Sequence, residues 1–447
     1  MKTSAQVTDA RRFETLATDV LVVGGGAAGV AAAVTAAREG MKVTLVERYG
    51  FCGGGAVAGL SGTVCGLYAA HEDANRPPEK LVFGFVDEFI QRMEAANGLG
   101  PPVRYGQTFS RVHDPLVWRE TADSLVLDAG ARVLYHAVVI DALTEGERVV
   151  GARLYTKQGK LDVRARLVVD ASGDADVVAM AGLPTSVGLD GQVQNPTMIF
   201  RVQGVDVARF REVQGPDSIL GPHVSELIAR LDGHGYRLPR RKVFMFPTTR
   251  PGELLCNATR VIGRDGRELN PLDAVDLTEA EIEGRKQARE YLRFMRDHLA
   301  GCENAWLNDT GVQVGIRQSR QIVGVETLEN TDVTEARKRD TGIARSPWPI
   351  ELHSGDKPKL VWIYRDYYEV PYECFVPRQG AGLLVAGRCL SARHEAMASA
   401  RVTAQCFSYG HAIGLAASLC VRDSIEPREL SGSDLRAQLR RRGAVLD

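Results

Sequence analysis

The chain lacks the sequence features of membrane-spanning, metal-cluster and nucleic-acid-binding proteins. No apolar run approaches the roughly 20 residues that cross a bilayer. The 55 Lys and Arg residues nearly balance the 56 Asp and Glu residues, so the net charge of -1 gives no reason to expect a nucleic acid or an anionic membrane as partner. The eight cysteines include no CxxC pair, which excludes the usual patterns of zinc ribbons and iron–sulfur clusters. We therefore expect no metal site and a soluble protein of the reducing cytoplasm.

The amino-terminal segment also lacks the pattern of a secretory signal. Residues 1–18 contain no apolar core of the kind that a secretory signal requires, so we interpret them as a polar leader. The whole chain has 447 residues, of which 44% are hydrophobic and 25% are charged. This composition is that of a folded soluble protein, and the length exceeds one ordinary domain. The sequence therefore predicts two domains, or one domain with a large insertion.

The most informative pattern follows this leader. Residues 19–23 form a short apolar run that predicts a buried strand, and residues 30–39 are rich in alanine and predict a helix capped by Gly40. A second apolar run at residues 41–46 predicts another strand, which ends at the acid Glu47. The order strand, helix, strand is the beginning of a parallel α/β sheet.

The turn between the first strand and the helix carries the pattern GxGxxG at Gly24, Gly26 and Gly29. In this pattern the first glycine allows a tight turn, the second lets the backbone approach a pyrophosphate, and the third lets the helix pack on the strand. Glu47 is placed to accept hydrogen bonds from ribose hydroxyls. Together these features predict a dinucleotide-binding site, because a glycine-rich turn with another purpose does not explain an acid at that strand tip.

Further glycine-rich turns favour FAD over NAD as the dinucleotide. A second glycine cluster at residues 53–55 stands where an NAD dehydrogenase would continue its strand–helix repeat. Residues 167–174 and 383–388 each combine an apolar strand with a turn of small residues. One extended cofactor that crosses several strand ends of one sheet accounts for turns so far apart in sequence. No second GxGxxG follows a strand, so a separate NAD(P)H site is not predicted.

Five segments of the sequence resemble one family of flavoproteins. They are DVLVVGGGAAGVAAAVTAAREGMKVTLVER, VVDASGDADVVAMAG, GIRQSRQIVG, VPYECFVPRQGAGLLVAGRCLSARHEAMASARV and GHAIGLAA. Their layout is similar to the FAD-dependent oxidoreductases of glutathione-reductase-like fold, and within these to a bacterial group known only by that general activity. The resemblance covers most of the chain and implies non-covalently bound FAD. The cofactor-binding residues that it implies are Gly24, Gly26, Ala27, Ala28, Gly29, Glu47, Arg48, Cys52, Gly53, Gly54, Val138, Ser172, Gly173, Asp174, Gly387, Arg388, Arg401 and Val402.

Two positions depart from the pattern of this family. Gln318 stands where an acid is usual, and Glu373 follows Tyr372 where an arginine is common. Both changes are expected to face the substrate, so the substrate is not inherited from relatives. Cys52 is interpreted as a small packing residue of its glycine-rich loop, and a covalent bond to the flavin is the alternative. Cys52 and Cys65 are not spaced as the redox pair of a disulfide reductase.

The patterns and the resemblance together predict an α/β fold of two domains. A discontinuous Rossmann-like FAD-binding domain would take residues 1–185 and 372–447, and an inserted α+β substrate cap would take residues 186–371. Within the cap, we expect a helix that begins at the capping box of residues 278–281 and ends near Leu299.

His394 is the predicted catalytic base. It precedes the helix whose N-terminus is expected to face the flavin, and a histidine suits removal of a substrate proton while hydride passes to flavin N5. Hydrogen bonding to the flavin, or capping of a helix, is the alternative role. Arg317 and Arg320 lie in the family-like GIRQSR segment and are predicted to bind an anionic group of the substrate. No catalytic argument applies to the other histidines considered, which are His71, His113, His136, His353 and His411.

The expected function is oxidation of a small polar metabolite by hydride transfer to FAD, with dioxygen or another acceptor reoxidising the flavin. A flavin monooxygenase reduced by external NAD(P)H is one alternative. A flavoprotein of the tRNA-modification type is the other, although the neutral charge and the lack of a basic aromatic stripe count against RNA. The sequence leaves the oligomeric state open, a homodimer included.

Overall fold

The computed structural model describes residues 14–73, 75–353 and 359–446. In these residues the strands are β1 (Glu14–Val23), β2 (Val43–Val46), β3 (Thr63–Val64), β4 (Leu99–Tyr105), β5 (Thr108–His113), β6 (Arg132–Leu134), β7 (Val138–Glu145), β8 (Arg148–Thr156), β9 (Gly159–Asp170), β10 (Thr185–Val187), β11 (Phe200–Gln203), β12 (Phe244–Pro247), β13 (Glu253–Asn257), β14 (Trp306–Thr310), β15 (Arg320–Ile322), β16 (Gly342–Ser346), β17 (Ile350–Leu352), β18 (Lys359–Val361), β19 (Tyr368–Pro371) and β20 (Leu383–Val385). The helices are α1 (Ala27–Arg38), α2 (Gly54–Val57), α3 (Phe85–Ala95), α4 (Pro115–Asp128), α5 (Asp176–Met180), α6 (Val207–Gln214), α7 (Pro222–Leu231), α8 (Ala274–His298), α9 (Asn330–Thr334), α10 (His394–Ala400), α11 (Thr403–Asp423) and α12 (Gly432–Arg441).

A seven-stranded sheet forms the centre of the molecule, in the order β6–β2–β1–β9–β8–β7, with β20 also paired to β9. β1 runs parallel to β2 and β9, so that Val22 lies opposite Leu45 and Val169. The central strands are continuous aliphatic runs because helices and loops cover both of their faces. The carboxyl ends of β1, β2, β9 and β20 therefore meet at one edge, where open α/β sheets bind ligands. This arrangement confirms the predicted Rossmann-like α/β fold.

The inserted region has a hydrophobic core of its own. Its antiparallel sheet has the order β12–β13–β11–β14, and α8 packs on this sheet through Tyr291, Phe294 and Met295. The later part of the predicted cap does not belong to this second core, because Ile322 and Val370 pack in the core of the central sheet. The predicted boundary at residue 371 therefore does not coincide with the division between the two cores, and the limits of the domains stay a prediction.

The structure corrects the starting points of two elements. β1 begins at Glu14 and pairs with β9, so the last part of the predicted leader is a strand, whereas residues 1–13 lie outside the described residues. α8 begins at Ala274 rather than at Thr278. Asp273 caps this helix, since its Oδ1 accepts hydrogen bonds from the N–H groups of residues 275 and 276 at 2.8 and 3.0 Å. Thr278 donates its hydroxyl to the carbonyl of Ala274 instead.

None of the helices within the described ranges is long and apolar enough to cross a membrane.

Candidate active site

A cavity lies at the carboxyl edge of the central sheet, and residues from the first, middle and last parts of the chain line it. The part called here the dinucleotide end is lined by Gly24, Gly26, Glu47, Arg48, Gly54, Gly173, Asp174 and Arg388. The part called the distal chamber is lined by Ile199, Tyr105, Phe246, Arg317, Trp348, Glu351, His353 and Arg401.

Glycine backbones form the floor of the dinucleotide end. Gly24 has a φ of +101°, and a Cβ atom there would lie 2.4 Å from the carbonyl oxygen of Ala171 in the turn after β9. A Cβ atom on Gly54 would lie 2.9 Å from the Cα atom of Gly26. Three chain segments therefore approach one another at distances that side chains would prevent, and residues of all three line the cavity.

Glu47 follows β2 and is buried at the edge of the cavity. Its Oε2 accepts a hydrogen bond from the N–H of Gly25 at 2.7 Å, and its Oε1 accepts one from the N–H of Tyr49 at 2.9 Å. Burial raises the pKa of this carboxyl group, although both backbone bonds favour the ionised form. Each oxygen keeps a lone pair for another donor, so the carboxylate is able to accept hydrogen bonds from a ligand hydroxyl.

A polar cluster holds the turn between β9 and α5 against the loop after β20. Asp174 Oδ1 accepts hydrogen bonds from Ser319 Oγ at 2.6 Å and from Arg388 Nη2 at 3.0 Å. Burial opposes ionisation of Asp174, but Arg388 and Ser319 outweigh it and lower the pKa of this carboxyl group. Arg388 therefore lies at the dinucleotide end as a positioned cation.

The distal chamber contains a buried carboxylate–imidazole pair. Glu351 belongs to β17 and His353 follows it, so both side chains project from one face of the extended chain. His353 Nε2 lies 3.2 Å from Glu351 Oε1. Tyr105, the last residue of β4, donates its hydroxyl to the same Glu351 oxygen. The residues that form this group are separated by about half of the chain, and the fold brings them together.

The surroundings set the charge of both members of this pair. Burial opposes ionisation of Glu351, but His353, Tyr105 and Arg401 outweigh it, and the pKa of Glu351 is lowered. Burial, followed by the positive charge of Arg317, lowers the pKa of His353 well below its ordinary range, although the carboxylate of Glu351 acts in the opposite direction. At neutral pH the pair is therefore an ionised carboxylate beside a neutral imidazole.

Three arginines surround this pair. Arg317 donates through Nη1 to the carbonyl of Asn195 at 2.6 Å, and Arg401 donates through Nη2 to Gln194 Oε1 at 3.3 Å. Arg240 lies behind the wall of the chamber and donates through Nη1 to Asn257 at 2.7 Å. Burial, followed by the charges of Arg240 and Arg401, lowers the pKa of Arg317 well below its ordinary range. The distal chamber is thus strongly electropositive.

Most residues that the sequence predicted for the site line this one cavity. They are Gly24, Gly26, Ala27, Ala28, Glu47, Arg48, Gly53, Gly54, Ser172, Gly173, Asp174, Arg317, Gly387, Arg388, Arg401 and Val402. The fold therefore brings together residues from both ends and the middle of the chain. Their individual contacts with a cofactor or a substrate stay a prediction.

Three residues predicted to bind the cofactor do not line the cavity. A Cβ atom on Gly29 would lie 1.8 Å from the carbonyl oxygen of Gly24, so this glycine serves the packing of α1 on the turn. Cys52 is fully buried and accepts a hydrogen bond from Tyr135, and burial raises the pKa of its thiol to about 12. A protonated, enclosed thiol is unsuited to a covalent bond with a flavin. Val138 opens β7 and is 45% exposed.

Two residues predicted to act on the substrate also lie outside the lining. Arg320 donates through Nη2 to Asp176 Oδ1 at 2.5 Å and through Nε to the carbonyl of Asp174 at 2.9 Å, so it braces the turn after β9. His394 is the first residue of α10, a helix that packs against β17. Its Nδ1 is buried without a hydrogen-bond partner in the described part of the chain, and burial lowers its pKa. Neither residue is among those that line the cavity, and their roles stay a prediction.

The sequence does not predict the pair in the distal chamber. No catalytic argument singles out His353, and the predicted site residues include neither Glu351 nor Tyr105. One local signal was present, since Glu351 and His353 alternate with Leu352 in a short apolar segment. Such alternation places two ionisable side chains on one face of a strand, which is unusual for a buried strand.

The chain is similar to known proteins in sequence and in fold. Residues 19–439 match the model of a family described as FAD dependent oxidoreductase. The chain is 28% identical over 265 residues to a thiamine thiazole synthase of Aeropyrum pernix, which covers 57% of this chain and 85% of that protein. It is 28% identical over 180 residues to a digeranylgeranylglycerophospholipid reductase of Picrophilus torridus, or 38% of this chain and 43% of that protein. A geranylgeranyl bacteriochlorophyll reductase-like protein of Thermoplasma acidophilum shares the fold, with a TM-score of 0.52 and 15% identity over 96% of this chain and 84% of that chain.

Proposed function

Because the chain belongs to the FAD-dependent oxidoreductase family, we propose that it dehydrogenates a small polar metabolite in the distal chamber, with His353 as the catalytic base. The observation that carries this proposal is the buried Glu351–His353 pair, which shares one cavity with the dinucleotide end. We also propose that the chain belongs to the glutathione-reductase-like group of these flavoproteins, which its sequence resembles.

The residues of the dinucleotide end fit FAD. Glu47 keeps free lone pairs for the hydroxyls of the adenosine ribose, and the backbone at Gly24 and Gly26 leaves room for a diphosphate beside Arg388. Bound FAD supplies the hydride acceptor that the side chains of a protein lack.

His353 is suited to take a proton from the substrate at one defined atom. Ionised Glu351 only accepts hydrogen bonds, so the Nε2 that faces it carries the proton of the neutral imidazole. The other ring nitrogen, Nδ1, then carries the lone pair that would accept the proton of a substrate O–H or N–H group. Glu351 is a positioning residue in this account, because it selects the tautomer and stabilises the imidazolium that forms.

Aromatic and aliphatic side chains form one wall of the distal chamber beside the pair. Tyr105, which orients Glu351, stacks on Phe244 with ring centroids 5.2 Å apart and lies 5.3 Å from the ring of Trp348. Ile199 and Phe246 complete the apolar wall. Charged groups beside such a wall act more strongly on a bound substrate than they would in water.

Anaerobic screening of small metabolites tests this function. The holoprotein is mixed with each compound, and the absorbance at about 450 nm reports the oxidised flavin. We expect at least one small polar metabolite to bleach the flavin, after which dioxygen or another acceptor restores the absorbance. NADH and NADPH are mixed separately as controls and should leave the flavin oxidised. Rapid bleaching by either nucleotide alone would contradict the proposal and favour a monooxygenase.

A further inference from the structure

The distal chamber contains buried hydrogen-bond donors without acceptors. Trp348 is 1% exposed and lines the chamber, yet its Nε1 has no hydrogen-bond partner among the described residues. The Nε of Arg401, which also lines the chamber, is buried and unpartnered within those residues, and so is the Nη2 of Arg240 behind the wall. Buried donors in folded proteins are normally satisfied. A group of unsatisfied donors around one cavity therefore points to a ligand that supplies acceptors.

The charges around the chamber also favour a ligand that supplies hydrogen-bond acceptors. Arg240, Arg317 and Arg401 face a single carboxylate, that of Glu351, and His353 is neutral. Arg201, another buried arginine of the inserted region, shows how such a charge is usually held, since it pairs with Asp309 at 2.5 Å and with Glu253 at 3.2 Å. The described part of the chain provides no comparable pair of carboxylates for the three arginines of the chamber.

We propose that the distal chamber binds its substrate through a carboxylate group, which accepts from Arg317, Arg401 and the Nε1 of Trp348. The planar guanidinium forks match the two oxygens of a carboxylate. The aromatic wall suits a hydrocarbon body attached to that group. This proposal rests on the proposed function for the idea that the ligand is a substrate, but it is a claim about binding and is testable without turnover.

Equilibrium binding to the oxidised holoprotein tests the proposal. The probes are benzoate, its uncharged isostere benzamide, and inorganic phosphate, and the readouts are the flavin absorption spectrum and tryptophan fluorescence. We expect benzoate to bind, and benzamide and phosphate to bind at least about tenfold more weakly, since a charge-assisted hydrogen bond changes affinity on that scale. Equal binding of benzamide, or stronger binding of phosphate, would overturn the proposal. This comparison uses the unaltered protein, so it does not depend on the folding of a variant.

Matched arginine variants assign the site. Arg317→Met should weaken benzoate binding by roughly 10- to 100-fold, and Arg317→Lys, which keeps the charge but not the fork, by less. Arg296→Met removes the same charge from an exposed position of α8 and should have no effect. Unchanged benzoate binding in Arg317→Met, with the flavin spectrum intact, would overturn the proposal.

The two proposals fail in different ways. If benzoate binds as expected but no carboxylic acid bleaches the flavin, the proposed dehydrogenation fails and the carboxylate site stands. If an uncharged metabolite bleaches the flavin and benzoate does not bind, the carboxylate site fails and the dehydrogenation stands.

Discussion

At the scale of single residues, the charge of Glu351 depends on its neighbours rather than on solvent. The side chain is buried, and burial alone would raise its pKa. The hydroxyl of Tyr105, the imidazole of His353 and the charge of Arg401 reverse that direction. The ionised carboxylate then fixes the His353 tautomer, which is the step that links the packing of the chamber to its chemistry.

The pKa of His353 is controlled by charges on several elements. Burial and the guanidinium groups of Arg317 and Arg240 lower it, and the carboxylate of Glu351 raises it. Tyr105 and Arg401 act indirectly, because they keep Glu351 ionised. The proposed base works only when it is neutral. Activity should therefore be lost as the pH falls through this lowered pKa, and it should be insensitive to pH around neutrality.

Arg317→Met should move the acid limb of kcat/KM for flavin reduction to higher pH. The substitution removes a positive charge beside His353, so the pKa of the imidazole rises toward its ordinary value and protonation begins at a higher pH. Anaerobic stopped-flow measurements from about pH 5 to 8 check this, with Arg296→Met as the control. An acid limb at the wild-type position, or at lower pH, would show that Arg317 does not act on the base.

Glu47→Gln should weaken FAD binding by about 1–3 kcal/mol, the scale for hydrogen bonds to a charged group. The amide keeps one oxygen acceptor but loses the charge and the second acceptor, both of which the ribose hydroxyls would use. Titration of the apoprotein with FAD measures the change, and Glu212→Gln at an exposed position of α6 is the control. Equal affinity in the two variants would remove Glu47 from the cofactor site.

At the scale of elements, the contact between α1 and α11 positions the cavity. Gly410 and Gly414 of α11 face α1, and Cβ atoms there would lie 2.1 Å from the carbonyl oxygen of Ala28 and 2.5 Å from that of Ala32. These small residues let the two backbones approach closely. Because α11 follows directly on Arg401, the same contact sets the position of that arginine at the cavity.

Gly414→Val should lower the free energy of unfolding by roughly 1–3 kcal/mol, the usual effect of overpacking a core contact. Ala437→Val is the control, because it adds a β-branched side chain to an exposed position of α12. Urea denaturation followed by circular dichroism measures both variants. If the two proteins unfold at the same urea concentration, the helices do not depend on this close contact.

Local patterns explain which elements the sequence could predict. The unit β1–α1–β2 and the turns after β9 and β20 carry their signals within a few residues, so glycine spacing and strand-tip acids identify them. The local capping pattern at Thr278–Glu281 predicts too late a start for α8, because the actual cap is Asp273. β17 has only three residues, and its role comes from the hydrogen bond that Tyr105 donates to Glu351, which no pattern near residue 351 encodes. The sequence favours His394 because it stands between the strand and turn at residues 383–388 and the helix expected to face the flavin, although it is not among the residues that line the cavity.

At the scale of the whole molecule, one cavity joins two regions with separate cores. The central sheet supplies the dinucleotide end, and β4, β17 and the inserted region supply the walls of the distal chamber. The net charge of -1 conceals a chamber that two arginines line, with a third behind its wall. The net charge of the chain therefore argues against a partner such as RNA, but it does not indicate the positive charge that is concentrated at the distal chamber.

The purified protein should be yellow, and acid or heat should release all of its flavin as FAD. Release is expected because Cys52, the cysteine considered for a covalent bond, is enclosed and has a thiol pKa raised to about 12. Acid precipitation followed by chromatography of the supernatant checks both the identity and the release of the flavin. Flavin retained in the precipitate would show a covalent bond and contradict this account.

The most direct test of the central claim compares two histidine variants in anaerobic single-turnover reduction of the flavin by a substrate found in the metabolite screen. His353→Gln should keep its FAD spectrum and slow reduction by roughly 10²–10⁴-fold, the usual contribution of a positioned base. His394→Ala should reduce its flavin at the wild-type rate, because His394 lies outside the cavity. Wild-type reduction in His353→Gln, or a comparable loss in His394→Ala alone, would contradict the assignment of the base to the distal chamber.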